Sequence, residues 1–304
     1  MFKRPRTDFW RVGIVPSPIE KLDAAALAAL KSHITWLPDA GPWRYLADPF
    51  GLVRGQALHV FVEAFDYRTK HGVIERHEFD LDGLQWRGKS LALSRPFHLS
   101  YPYLLEHGGE VFMIPESNQA NEVALYRPGA DLDSWTRECV LIADQPVADA
   151  SVVFHQDRWW MFYALVGPKR RDQKELHAAW APSLTGPWQP VRGNPIHVDH
   201  GGARPAGKPF IDGEGFLTLP VQDGVGGYGS AVRLLRFTHL DEDRIEIEKR
   251  PTRLTGDLVS DTYHEGMHTL SACGGLTLID AKRIDRSREK QLIDLRRRVR
   301  RLLG

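Results

Sequence analysis

The 304-residue sequence predicts an all-β fold, a five-bladed β-propeller of four-stranded blades. An N-terminal strand is expected to close the ring, and a short basic amphipathic helix to follow it at the C-terminus. Three observations carry this expectation. A unit of apolar strand, tight turn and second apolar strand recurs five times, with turns beginning at 54, 107, 156, 212 and 273. That spacing is about fifty residues, enough for one four-stranded blade. The chain is also rich in strand and turn formers, with 9 Trp, 8 Tyr, 13 Phe, 27 Gly and 20 Pro, and poor in long helical patterns.

In chain order, Phe9-Trp-Arg-Val-Gly-Ile-Val is a strand without a local partner. It is assigned to the fifth blade, whose own outer strands run out before the C-terminal helix. The Ala-rich run after Asp23 reads as a short helix with Asp23 as its N-cap. The blade cores fall near residues 47–63, 100–116, 149–163, 203–222 and 268–280. Third strands are expected at Val73–Phe79, Val123–Arg127, Leu176–Trp180 and Val232–Phe237. The domain organisation is therefore a propeller over 1–285 and a helix over 286–304, where Leu292, Leu295, Val299 and Leu302 recur at helical spacing between arginines. A β-sandwich of irregular hairpins is the competing fold, but it explains neither the five similar hairpins nor the missing outer strand.

Composition narrows the function. At 42% hydrophobic and 26% charged, the chain is expected to build a core rather than remain disordered. No run approaches the ~18–20 apolar residues of a membrane-spanning helix, and the basic start Met1-Phe-Lys-Arg-Pro-Arg lacks the apolar region of a secretory signal. Cys139 and Cys273 form no CxxC pair, which argues against a disulfide scaffold and for a cytoplasmic location. Residues 286–304 carry a net +6 within a total of +1, which leaves −5 on the body and argues against a nucleic-acid channel.

In a propeller the starts of the inner strands and the ends of the second strands converge on one channel mouth. The starts supply Asp48, Ser100 with Tyr101, Asp149, Arg204 and His268; the ends supply Glu63, Glu116, Tyr163 and Gln222 with Asp223. Crowded carboxylates raise one another's pKa, which suits acid and base work. The plainer alternatives are a turn-initiating Asp48, an Arg204 that only balances buried charge, a satisfied core His268 and turn residues at Gln222-Asp223 and Tyr228-Gly229. The glycine-rich run Asp223-Gly-Val-Gly-Gly-Tyr-Gly lacks the Lys-Ser/Thr of a phosphate loop. There is no Gly-x-Ser-x-Gly elbow or His-Glu-x-x-His helix, and no cofactor or metal is expected.

Several stretches together resemble a known family: Trp10-Arg-Val-Gly-Ile-Val, Ala47-Asp-Pro-Phe, Tyr101-Pro-Tyr, Met113-Ile-Pro-Glu-Ser, Ala203-Arg-Pro-Ala-Gly, Tyr228-Gly and His268-Thr-Leu-Ser. The chain is similar to the N-terminal domain of plant glucosamine inositolphosphorylceramide transferases and their bacterial relatives. With Ser183-Leu-Thr-Gly-Pro-Trp, it more distantly resembles the arabinanase, levansucrase and invertase propellers. The first resemblance implies a five-bladed propeller associated with sugar chemistry; in the plant proteins a separate domain resembles the glycosyltransferase. The second implies three acids at the inner-strand starts of blades one to three. Asp48 matches the nucleophile or base, Ser100-Tyr101 replaces the second acid, and Asp149 stands where the third is usually Glu.

The expected function is a carbohydrate-active protein that cleaves or transfers a glycosidic bond with Asp48, Asp149 and Glu116 as catalytic groups. Glu63, Tyr101, Tyr163, Arg204, Gln222, Asp223 and His268 would contact the substrate, a sugar that is free or linked to a nucleotide or lipid. The alternative is a non-catalytic module that presents a glycan or glycolipid head group to a partner glycosyltransferase or formyltransferase. The C-terminal helix would either hold the protein at an anionic membrane surface or dock its apolar row on the propeller or a second copy.

Overall fold

The computed structural model describes the backbone of residues 6–303 and side chains through Val299; the basic start before Arg6 and the side chains of Arg300, Arg301 and Leu302 lie outside the described residues. Five antiparallel sheets follow one another around a propeller ring. Blade one comprises Arg44–Arg54, Ala57–Asp66, His71–Asp80 and Trp86–Leu93, from the channel outward. Blade two comprises Ser100–His107, Glu110–Glu116, Glu122–Pro128 and Trp135–Ala143. Blade three comprises Val147–His155, Arg158–Leu165, Glu175–Ala181 and Gln189–Pro190, with His197–Val198 also paired to its third strand. Blade four comprises Phe210–Ile211, Leu217–Asp223, Ala231–Leu240 and Ile245–Leu254. Blade five takes Leu270–Cys273 and Leu276–Asp285 from the C-terminal side, and Thr7–Val15 and Thr35–Trp36 from the N-terminal side. The unpartnered N-terminal strand thus supplies the third strand, pairing Thr7 with Asp285 through Val15 with Thr277.

Turn chemistry sets the inner hairpins. Gly108 and Gly109, and Gln156 and Asp157, occupy two-residue turns with φ of 61°, 81°, 51° and 60°. Positive φ at both positions makes the turn twist match the strands. Blade four departs from the expected continuous inner strand. Its ladder is cut to Phe210–Ile211 plus an isolated bridge between Pro205 and Val221, because Pro205 and Pro209 offer no N–H.

Gly207 sits in that interruption at φ 146°, where an added Cβ would lie 1.8 Å from the Leu270 carbonyl oxygen. Blades four and five meet at this point, where the Leu270 N–H donates to the Ala206 carbonyl at 2.7 Å. A Gly207→Ala protein is therefore expected to lose more than about 3 kcal/mol of stability through clash and backbone strain. Chemical denaturation measures this, and an unchanged midpoint would contradict it.

The inner strands of blades one, two and three share one irregularity. Their ladders slip between Ala47 and Phe50, Ser100 and Tyr103, and Ala148 and Ser151. Each slip is a β-bulge that leaves one extra residue and re-aims its neighbours. The first bulge residues, Asp48, Tyr101 and Asp149, adopt φ of 51°, 45° and 52°. Left-handed non-glycine residues cost ~1–3 kcal/mol each and collect at functional sites. The core lies between the blades, where Phe50 packs edge-on against Tyr101 and tilted against Tyr103, and Phe61 meets Trp135 edge-on.

The Ala-rich helix spans Ala24–Ala29, and the Asp23 carboxylate caps the Ala26 N–H at 2.8 Å. The C-terminal helix spans Glu289–Leu303. No described helix is long and apolar enough to cross a membrane.

Candidate functional site: buried carboxylates at the channel mouth

The bulges place successive groups in a relay around the mouth. Two of the bulges are reached by a second-strand acid of the preceding blade. Asp280 accepts the Asp48 N–H at 3.1 Å, and Glu116 accepts the Asp149 N–H at 3.2 Å. The Asp48 carboxylate in turn accepts the Tyr101 N–H at 3.2 Å. Three backbone donors freed by the bulges are thus satisfied by carboxylates, which fixes those carboxylates in place.

Two clusters result. In the first, the Asp48 carboxylate accepts the Thr269 hydroxyl at 3.1 Å and lies 3.7 Å from His268 Nε2. His268 Nδ1 is 2.6 Å from Asp280, whose other oxygen accepts the His268 and Thr269 N–H groups at 2.9 and 3.0 Å. The His268 ring stacks on Trp10 at 3.7 Å with Tyr228 edge-on at 5.3 Å. Burial works against charge on His268, but Asp280 and Asp48 outweigh it and hold its pKa above the ordinary value. Burial lifts Asp48 to about 6; His268 pulls it down while Asp149 and Asp280 push it up.

In the second cluster, the Arg204 guanidinium grips both Asp149 oxygens, at 2.5 and 3.1 Å, and reaches Glu116 at 3.3 Å and Asp172 at 3.1 Å. The Gln222 amide donates to Asp149 at 2.9 Å, while its Oε1 is buried without a partner. Burial and the Asp149 charge raise Glu116 well above the usual carboxylate range, against the pull of Arg204.

Glu63 differs from both. Its neighbours are the Tyr45 hydroxyl at 3.5 Å and His98 Nε2 at 3.4 Å. Burial and the nearby His71 press His98 down to about 4, so its ring is neutral near pH 7. Among the described residues, Glu63 is therefore buried without a cation. Burial, then the charges of Asp48, Glu116 and Asp280, raise its pKa well above the ordinary value.

Three of the expected substrate contacts lie elsewhere. Tyr101 is wholly buried beneath the mouth, its hydroxyl bonded to Ser151 at 2.8 Å and to the Gly207 carbonyl at 3.3 Å. Tyr163 stacks on His177 at 5.6 Å. Strand register explains this: Ala148 pairs with Ala164, so Ala164, not Tyr163, shares the position of Glu63 and Glu116. Asp223 turns outward to Arg233 and Arg253, each at 3.0 Å. Burial opposes its charge, but the Val225 N–H and the two arginines outweigh it and hold its pKa low.

Asp280, Tyr45 and Asp172 were not singled out from sequence. Asp280 had a signal, since it closes the fifth expected blade core as Glu63 closes the first. Asp48, His268 and Asp280 each bring one ligand atom within 4.8 Å of the others. In this structure these groups pair with one another, His268 Nδ1 with Asp280 and Nε2 facing Asp48.

Comparison with known proteins places this geometry in context. The structure is similar to an α-L-arabinofuranosidase from Podospora anserina with TM-score 0.59 and 10% identity, over 80% of this chain and 92% of that one. It is also similar to a glycosyl hydrolase from Bacteroides ovatus with TM-score 0.57 and 11% identity, over 93% of each chain. At such identity these likenesses establish the shared propeller fold. In sequence, the chain is 35% identical over 218 residues to glucosamine inositolphosphorylceramide transferase 1 of Oryza sativa subsp. indica, covering 70% of this chain. It is 29% identical over 255 residues to the protein of the same name from Arabidopsis thaliana, covering 80% of this chain. The matches span 28% and 33% of those relatives' own lengths. The profile of the family described as "Glucosamine inositolphosphorylceramide transferase 1, N-terminal" matches residues 34–265, and the chain belongs to that family.

Proposed function

We propose that the mouth binds a sugar-bearing substrate and cleaves or transfers its glycosidic bond, with Asp48 as base and Glu63 as proton donor. One observation supports this most: two buried carboxyl groups on adjacent strands of one blade have opposed surroundings. Asp48 is held by a hydroxyl, an N–H and a nearby imidazole, whereas Glu63 has no cation. Such paired environments separate acid from base near neutral pH. In the step, the glycosidic C–O bond breaks and the Glu63 proton passes to the leaving oxygen. Asp48 takes the proton of the water or acceptor hydroxyl that bonds to the anomeric carbon. The unpartnered Gln222 Oε1 suits a substrate hydroxyl. Asp149, gripped on both oxygens by Arg204, serves to position Glu116 and Gln222 rather than to carry a proton.

A second reading has its own observation. Blade two carries Tyr101 at the bulge where a third acid would stand, and Asp149 is locked by Arg204. Both features favour a module that presents a glycolipid head group to a partner glycosyltransferase. Incubation with glucosaminides and arabinofuranosides separates the two: sugar release or transfer supports the first, and saturable binding without product supports the second.

The first reading fixes a pH profile. Asp48 acts ionised, so kcat/KM is expected to rise with pH through about 6. Glu63 acts protonated, and its raised pKa keeps it so until higher pH. Because His268 pulls Asp48 down, a His268→Gln protein is expected to move the rising limb to higher pH. An unmoved limb would contradict the assignment of that limb to Asp48.

A further inference from the structure

We infer that the mouth end of the propeller docks on an anionic lipid surface, through the C-terminal helix and the rim of blade three. The inward face of Glu289–Leu303 is tied to the propeller. Arg297 donates to the Tyr67 carbonyl at 2.9 Å, Lys290 lies 5.9 Å over the Tyr67 ring, and both pair with Asp294. Tyr67 directly follows the strand that ends at the mouth with Asp66, and stands edge-on to Tyr45 at 5.8 Å. The helix is therefore fixed beside the mouth.

Its outward face is the reverse of a docked one. Leu292, Leu295 and Val299 are 56%, 58% and 44% exposed, and Arg288, Arg296 and Arg298 are exposed around them. An apolar row flanked by arginines is the pattern of a helix lying in a bilayer interface.

The blade three rim repeats this chemistry independently. Lys169, Arg170 and Lys174 are exposed in the segment that begins with Pro168, and Asp172 of the same segment reaches back to Arg204 in the mouth. Val166, Val198 and Val225 are exposed at this same end of the strands.

Charge selects the occupant. The body is net −5 while the tail carries +6 and the rim adds Lys169, Arg170 and Lys174, so these two segments suit an anionic surface. Two copies meeting through this helix would instead oppose arginine to arginine. The proposal rests on the sugar reading for what the mouth meets at the membrane, but its test does not, since the vesicles carry no sugar.

The full chain is sedimented with phosphatidylcholine vesicles, with and without phosphatidylglycerol. Binding is expected only to the anionic vesicles and to weaken with salt. Arg288→Gln/Arg296→Gln/Arg298→Gln is expected to weaken it at least about tenfold, and Leu292→Ser/Leu295→Ser/Val299→Ser comparably. Lys169→Gln/Arg170→Gln is expected to weaken it severalfold. These side chains are exposed, so melting should be unchanged and loss of fold does not explain the result. Equal binding to both vesicle types, no binding, helix variants that bind like the parent, or a dimer dissolved by the leucine changes in place of vesicle binding would each overturn the proposal.

Discussion

Replacing Asp48 by Asn is expected to lower turnover by about 10²–10⁴-fold, the usual contribution of a positioned proton-transfer group, while sugar affinity changes only severalfold. Asn preserves the shape, with its one oxygen accepting the Tyr101 N–H and its amide N–H donating to the Thr269 hydroxyl, but it no longer takes a proton. Stability should hold or rise, because the native fold raises the Asp48 pKa to about 6 and so disfavours its ionised form. The sign follows from proton counts. Between the unfolded value and about 6 the native state binds more protons, so Asp48 detracts from stability as pH rises through that window, and Asn removes the loss. A Glu63→Gln protein should show a comparable loss of turnover that is smaller on substrates with an acidic leaving group, which need no proton. Turnover of the Asp48→Asn protein equal to the parent on every substrate the parent cleaves would remove Asp48 from the chemistry.

The second large effect is on stability. Arg204→Met leaves Asp149, Glu116 and Asp172 facing one another without the guanidinium that binds all three. Removing one partner of a buried pair costs about 3–5 kcal/mol because the remaining charge is stranded, and three carboxylates here share one cation. The loss should shrink at acid pH, where protonation relieves the repulsion; the already raised Glu116 is the first to gain from it. Denaturation midpoints of parent and variant at neutral and acid pH measure this. Equal destabilisation at both would contradict the electrostatic cause.

Much of the fold was legible because hairpin chemistry is local. His107-Gly-Gly-Glu and His155-Gln-Asp-Arg announce their turns, and the apolar runs beside them announce the strands. The missing outer strands of blade five pointed to ring closure by Phe9–Val15, which the pairing with Leu276–Asp285 realises. The site was legible as a set of positions but not as a geometry. Asp48, Glu116, Asp149, Arg204, Gln222 and His268 do meet around the mouth, within two linked clusters. What sequence hides is the bulge. One extra residue in each of three inner strands frees a backbone N–H, so Asp280 comes to hold both His268 and the Asp48 backbone. Nor does spacing reveal that Asp149 and Arg204 form a closed pair.

The central claim is that these buried carboxylates surround a sugar. Crystals of the protein soaked with glucosamine, myo-inositol, arabinose and galactose test it most directly. The expected result is one of these in the mouth, with hydroxyls within hydrogen-bond distance of Asp48, Glu63 and the free Gln222 oxygen, and no such density in a Gln222→Leu protein. Sugars bound only elsewhere on the propeller, with the mouth closed over its own ion pairs, would contradict the account.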